Sequence, residues 1–240
     1  MNTKLLSALT ATAAATALFS AAAPAHAFSF GTNAIQFENN TDVTFNFRQS
    51  YGAYTSSLGV YGVNGQTTSL LKTLFSEVKS SDTNGANDNW KGTLGNTVLG
   101  SGIATFTFLA NQVYTLGLSS VGLDGSNQGT VYSTTALNSS GTQQAVFGTP
   151  NGLLPLVIDP ADTKTFAADP TKFTSGGTLF KEGVAISFDD RGNGNDVDFQ
   201  DFTLTAQAEA VPEPMTMTGL ALGLGGLVAA RRRRGSKTAS

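Results

Sequence analysis

Apolar and polar side chains alternate through most of this chain. Val43, Phe45 and Phe47 share one side of an extended stretch, with Thr44, Asn46 and Arg48 on the other. Ala104, Phe106 and Phe108 alternate with Ile103, Thr105 and Thr107, and Tyr114, Leu116 and Leu118 follow after Asn111 and Gln112. Val184, Ile186 and Phe188 alternate with Ala185, Ser187 and Asp189. Phe202, Leu204 and Ala206 do the same with Thr203, Thr205 and Gln207. A period of two sends successive side chains to opposite faces, so each stretch predicts a half-buried strand. Residues 103–119 predict a hairpin. Weaker strand signals cover 34–37, 58–63, 68–75, 130–137 and 153–158. Gly, Asn, Asp and Ser cluster at 80–89, 124–129, 138–141, 148–152 and 192–195 and predict turns. The segment between Asp159-Pro160 and Asp169-Pro170 has no clear period and reads as a surface loop. Roughly eight to ten strands in one domain predict an all-β fold, an antiparallel two-sheet β-sandwich of jelly-roll type, with a closed barrel as the alternative.

The two ends break this pattern. Residues 1–27 carry Lys4, then an Ala/Leu/Thr-rich stretch, then Ala25-His26-Ala27, the plan of a secretory signal peptide helix cut before Phe28. Residues 28–207 are the β domain, and 208–214 form a linker. Residues 215–230 are uncharged, and 231–240 are a basic tail. A bilayer core takes about 20 apolar residues, so 215–230 predicts a short transmembrane helix. Arg231, Arg232, Arg233 and Arg234 hold its end on the cytoplasmic side and leave the body outside. A plain membrane anchor is one reading of this end. The joint before it, Val211-Pro212-Glu213-Pro214, cannot continue a strand or a helix, because proline lacks a backbone donor and fixes φ.

This tail resembles the PEP-CTERM sorting signal of Gram-negative bacteria: Val211-Pro212-Glu213-Pro214, a short Gly/Ala/Leu span, and an arginine cluster at the extreme end, in that order. The resemblance covers about the last thirty residues. It implies transient anchoring in the inner membrane and recognition by an exosortase-type enzyme, after signal peptidase has acted at the other end. It also implies cleavage near Pro212-Glu213-Pro214 and release to the cell envelope, the outer surface or an extracellular matrix. It implies no catalytic activity.

Removing both ends changes the composition. Between Phe28 and Glu213 stand 17 acidic and 8 basic side chains, a net charge of −9. Nucleic-acid binding wants a basic face, so this body is not expected to bind nucleic acid. The only histidine, His26, leaves with the signal peptide, and the chain contains no cysteine. That excludes Ser-His-Asp and Cys-His catalysis, ordinary zinc sites and thiol redox chemistry.

The densest polar stretch is 189–201, between two strong strand signals. It holds Asp189, Asp190, Asn193, Asn195, Asp196, Asp198 and Asp201, with Gly192 and Gly194 at its turn. Calcium takes six to eight hard oxygen ligands from such loops, which makes these seven residues a candidate Ca²⁺ site. The spacing is not that of an EF-hand. A solvated turn with local Asp and Asn caps is the simpler reading of the same residues, and a catalytic carboxylate pair is the third. The sequence Val184-Ala185-Ile186-Ser187-Phe188-Asp189-Asp190, then the turn, then Asp196-Val197-Asp198-Phe199-Gln200-Asp201-Phe202 resembles the closing hairpin of a family of exported bacterial domains of unknown function. That resemblance implies a β-sandwich and a calcium-linked surface role.

Trp90, the only tryptophan, ends an Asp/Asn-rich stretch and is either a core or half-core residue, as a lone Trp in a β protein more often is, or a candidate sugar contact. Tyr51, Tyr54 and Tyr61 lie in a Gly/Ser-rich region as a surface cluster or as ordinary packing. The leading expectation is an exported, non-enzymatic surface or matrix protein. The alternatives are a Ca²⁺-dependent module binding exopolysaccharide and a carboxylate-based glycoside hydrolase.

Overall fold

The structure is a computed structural model, and it describes residues 28–82, 90–148, 179–190 and 199–209. The signal segment, the Pro-Glu-Pro joint, the 215–230 span and the arginine tail lie outside the described residues, as does the strand expected at 153–158. Among the described residues no helix is long and apolar enough to cross a membrane.

The described residues form β1 (Phe28–Phe30), β2 (Ile35–Phe37), β3 (Thr41–Ser50), β4 (Thr55–Asn64), β5 (Thr67–Ser76), β6 (Ile103–Phe108), β7 (Tyr114–Val121), β8 (Asn127–Tyr132), β9 (Ala145–Gly148), β10 (Val184–Phe188) and β11 (Phe202–Ala208). They make two antiparallel sheets. The first runs β1-β2-β7-β4-β5, with β8 also paired to β7, and the second runs β6-β3-β11-β10-β9. The inner faces meet in one core built from Phe30, Phe45, Phe108, Leu58, Leu116, Phe188 and Phe202 among others, all fully buried. The all-β expectation with two facing sheets holds at this level.

The hairpin expected over 103–119 does not form. β6 pairs with β3 in the second sheet, and β7 pairs with β4 in the first. The alternation on both strands is genuine, but the two apolar faces look at each other across the core rather than lying side by side. Phe106 and Phe108 meet Tyr114 at ring-centroid separations of 5.8 and 5.1 Å. Periodicity reports which side of a strand is buried and is silent on which sheet buries it. The core also satisfies its polar atom here: the Tyr114 hydroxyl accepts from Leu109 N at 3.0 Å and donates to Gln112 Oε1 at 3.2 Å. The strand expected at 130–137 is shorter than that, because β8 ends at Tyr132 and Thr135–Leu137 turns as a 3-10 helix.

The β10–β11 hairpin has the register its alternation implies, from Val184 opposite Ala206 to Phe188 opposite Phe202. On the other side of β11 the pairing with β3 slips by one residue. Leu204 faces Phe47 and Thr203 faces Gln49, which leaves Arg48 as the extra residue of a bulge. A bulge changes which side chains face inward. Its consequence here is that Ser50, opposite the core residue Phe202, turns its hydroxyl into the molecule.

Candidate functional site

β10 and β11 carry aspartates at their open end. Asp189, Asp190 and Asp201 are 0, 5 and 9% exposed. Each offers a carboxylate oxygen within 4.8 Å of the others. The backbone holds them there. Asp189 N donates to Gln144 O at 3.1 Å, and Asp201 N donates to Phe188 O at 3.0 Å, one step beyond the last ladder pair. Asp190 N donates to Asp201 Oδ2 at 2.6 Å. Tyr51 N donates to Asp201 O at 3.2 Å, which fastens the β3–β4 loop to the same corner. Gly52 lies directly against the cluster. A Cβ built there would stand 3.0 Å from Asp190 Oδ2 and 3.2 Å from Asp201 Oδ1. Phe199, where the chain returns from the loop, takes φ 45°, and its carbonyl accepts a hydrogen bond from Ser187 Oγ.

A fourth acid joins from the other sheet. Glu77 follows β5 and is 7% exposed. Its Oε2 accepts from Ser56 N at 2.7 Å, and its Oε1 accepts from the Ser50 hydroxyl that the β3 bulge turned inward. Glu77 N in turn donates to Ser56 O at 2.9 Å. Burial pushes the Glu77 carboxyl up to about 8. The Ser50 and Ser56 hydrogen bonds oppose that rise, and the nearby charge of Asp190 adds to it. The corner therefore gathers carboxylates from both sheets into a water-poor space, where each further negative charge is costly.

Of the seven residues expected to hold calcium, the structure brings together Asp189, Asp190 and Asp201. Asn193, Asn195, Asp196 and Asp198 lie outside the described residues. Glu77 is the member sequence reasoning missed. One signal was available: Phe75 and Glu77 fall on the same parity, so the strand that buries Phe75 carries the acid inward as well.

The β3–β4 loop, which lies against this corner, is joined in turn to the segment that follows Trp90. Ser50 and Gly92 exchange backbone hydrogen bonds at 3.0 and 2.7 Å. Trp90, half-buried, precedes Gly92 by two residues, and Tyr51 and Tyr54, also half-buried, follow Ser50 on the other side of this bridge. Asp82 pins the base of the Trp90 loop. It accepts from Thr93 Oγ1 at 2.7 Å, Thr97 Oγ1 at 2.5 Å and Thr93 N at 3.3 Å. Slight burial works to raise its pKa, but these bonds outweigh that and hold the carboxyl below its ordinary value. Tyr61 does not belong with the other two tyrosines. It sits on the first sheet, edge-to-face with Tyr132 at 5.5 Å, and its hydroxyl bonds Ser119 Oγ at 3.0 Å. Its ring fills the space above Gly117, where a Cβ would come within 2.6 Å of it.

The fold and this corner define an all-β, two-sheet domain with a buried carboxylate cluster between loops. No family model, no curated protein and no solved structure matches the chain.

Proposed function

We propose that this is an exported, non-enzymatic protein of the cell surface or extracellular matrix. Its sandwich domain is locked at one corner by a divalent cation. The observation that carries the cation is the buried convergence of Asp189, Asp190 and Asp201, three hard oxygen donors within 4.8 Å of one another. Glu77 stands beside them on the first sheet. Calcium fits this donor set better than magnesium. It accepts six to eight oxygens in irregular geometry, including loop carbonyls, whereas magnesium demands a near-ideal octahedron. Asn193, Asn195, Asp196 and Asp198 are the further donors the loop can supply.

Burial of the cluster supports a structural role over a hydrolytic one. A glycosidase pair must flank a bound sugar, with carboxyl groups about 5–9.5 Å apart. These three carboxyls converge more closely and are almost wholly covered. Export rests on the signal-peptide plan of residues 1–27 and the Pro-Glu-Pro, apolar span and arginine order of the tail. In this reading signal peptidase frees Phe28 and residues 215–230 anchor the chain as a transmembrane helix. An exosortase-type enzyme then cuts near Pro212-Glu213-Pro214.

Two measurements test it. Intact mass of the protein recovered from the surface fraction should correspond to a chain beginning at Phe28 and ending near Pro214. A membrane-bound species that keeps residues 215–240 would end the processing claim. Thermal melts should rise with calcium and fall with chelator. A cation at a hundred times its Kd adds about 2.7 kcal/mol, a rise of roughly 5–10 °C for a domain of this size. Identical melts in calcium and chelator would remove the cation.

A further inference from the structure

The strand directions give this molecule two poles. β11 runs from Phe202, beside the carboxylate cluster, to Ala208 at the opposite end. A seven-residue strand spans about 23 Å. At that far end Ala208 N donates to Leu179 O at 2.9 Å, and the ring of Phe28, the first described residue, packs edge-on against Phe180 at 5.1 Å. Both places where the chain enters and leaves the described domain are therefore at one pole. Tyr51, Tyr54 and Trp90 are gathered at the other, on two loops zipped together by the Ser50–Gly92 bridge.

We propose that the pole carrying Tyr51, Tyr54 and Trp90 is a binding site for a neutral polysaccharide. A sugar ring offers an apolar C–H face, which packs on aromatic rings, and a rim of hydroxyls for polar partners. All three residues are half-buried, so each is partly held by the fold and keeps part of its surface in solvent. Charge selects the polymer. Residues 51–54 carry no charged side chain, and residues 90–102 carry only Lys91. Beneath them lie Asp189, Asp190 and Asp201. A face with one lysine gives an anionic polymer little to bind, whereas a neutral glycan needs no countercharge. The two poles supply the orientation: a chain tethered through its C-terminal segment turns this face away from the tether. The site rests on the exported-surface reading and not on the cation.

Trp90 is the only tryptophan in the chain, so tryptophan emission reports this pole alone. The full-length protein, held in a polyoxyethylene detergent that carries no sugar, is titrated with dextran, laminarin, hydroxyethyl cellulose and galactomannan. Alginate serves as the anionic comparison. We expect a saturable blue shift with at least one neutral polymer, and retardation by the same polymer in affinity gels. Retardation should weaken at least tenfold in Trp90→Ala and in the Tyr51→Ala/Tyr54→Ala double variant, and persist in Trp90→Phe. The proposal is overturned by an absent shift and absent retardation with every neutral polymer, by binding to alginate alone, or by full binding in Trp90→Ala. All titrations are run in calcium and in chelator beside the melts. A calcium-dependent melt without neutral-polymer binding removes the glycan site and leaves the cation-locked surface protein standing. Glycan binding with no calcium effect does the reverse.

Discussion

Glu77→Gln tests the energetics of the buried corner most directly. The wild-type carboxyl titrates near 8 in the folded protein against 4.5 for the free group. The folded chain therefore holds this proton more tightly than the unfolded chain. Between those two values the unfolded state binds fewer protons, so stability falls as pH rises, at about 1.4 kcal/mol per pH unit. The contribution is fully present below pH 4.5 and lost above about 8. The whole swing is on the order of 4–5 kcal/mol. Glutamine has the shape of the protonated acid. Its carbonyl can accept from Ser56 N, and its amide can donate to Ser50 Oγ, so the packing survives while the titration disappears. The assay is thermal melting in chelator at pH 5, 6, 7 and 8. Wild type should lose roughly 8–16 °C across that range, and Glu77→Gln should lose much less. No histidine follows His26, so no imidazole of the domain titrates in this window, and the difference between the two proteins, rather than the wild-type slope alone, isolates Glu77. Parallel curves for the two proteins would refute the claim that Glu77 is buried without an adequate counter-charge.

Three further outcomes follow from the same geometry. Gly52→Ala places a methyl 3.0 Å from Asp190 Oδ2 and 3.2 Å from Asp201 Oδ1. It should cost about 1–3 kcal/mol and shrink the calcium-induced rise in Tm, both visible in paired melts. Asp201→Asn keeps an oxygen to accept from Asp190 N but removes one negative charge. It should leave the melt in chelator unchanged or higher, and isothermal titration should show calcium binding weakened at least tenfold. Phe108→Ala empties a fully buried site touching Phe30, Phe37, Phe45, Phe106 and Tyr114. It should cost about 3–5 kcal/mol in urea unfolding and leave the calcium response in place, because the cavity forms away from the carboxylates.

The strands were legible wherever one face is buried and the other is wet. β3, β10 and β11 read correctly because Val43, Phe45, Ile186, Phe188, Phe202 and Leu204 alternate with polar residues over enough positions. β4 was read short, at 58–63 rather than Thr55–Asn64, because Ser56 and Ser57 sit where larger side chains would have marked the period. The carboxylate corner was half legible. Asp189, Asp190 and Asp201 are close in sequence and flank one turn, so a hairpin must bring them together. Glu77 and Gly52 come from other strands and loops, and only the pairing of those strands brings them to the aspartates. Trp90 was visible as a lone indole, but its neighbours were not. Tyr61 lies nearer to Tyr51 and Tyr54 in sequence than Trp90 does, yet it packs on the outer face of the first sheet.

Local chemistry along the chain was enough to decide the all-β class, the inner face of each strong strand, the β10–β11 hairpin and the absence of imidazole and thiol chemistry from the body. Those properties depend on side-chain period and composition, which are written in order along the chain. The tertiary structure decided the rest. It sent β6 and β7 to opposite sheets, placed the Arg48 bulge that turns Ser50 toward Glu77, and closed the Ser50–Gly92 bridge that joins the segment after Trp90 to the strand leading into Tyr51. Each of these depends on which distant strand becomes a neighbour, a choice made by the fit of whole faces rather than by any single stretch of residues.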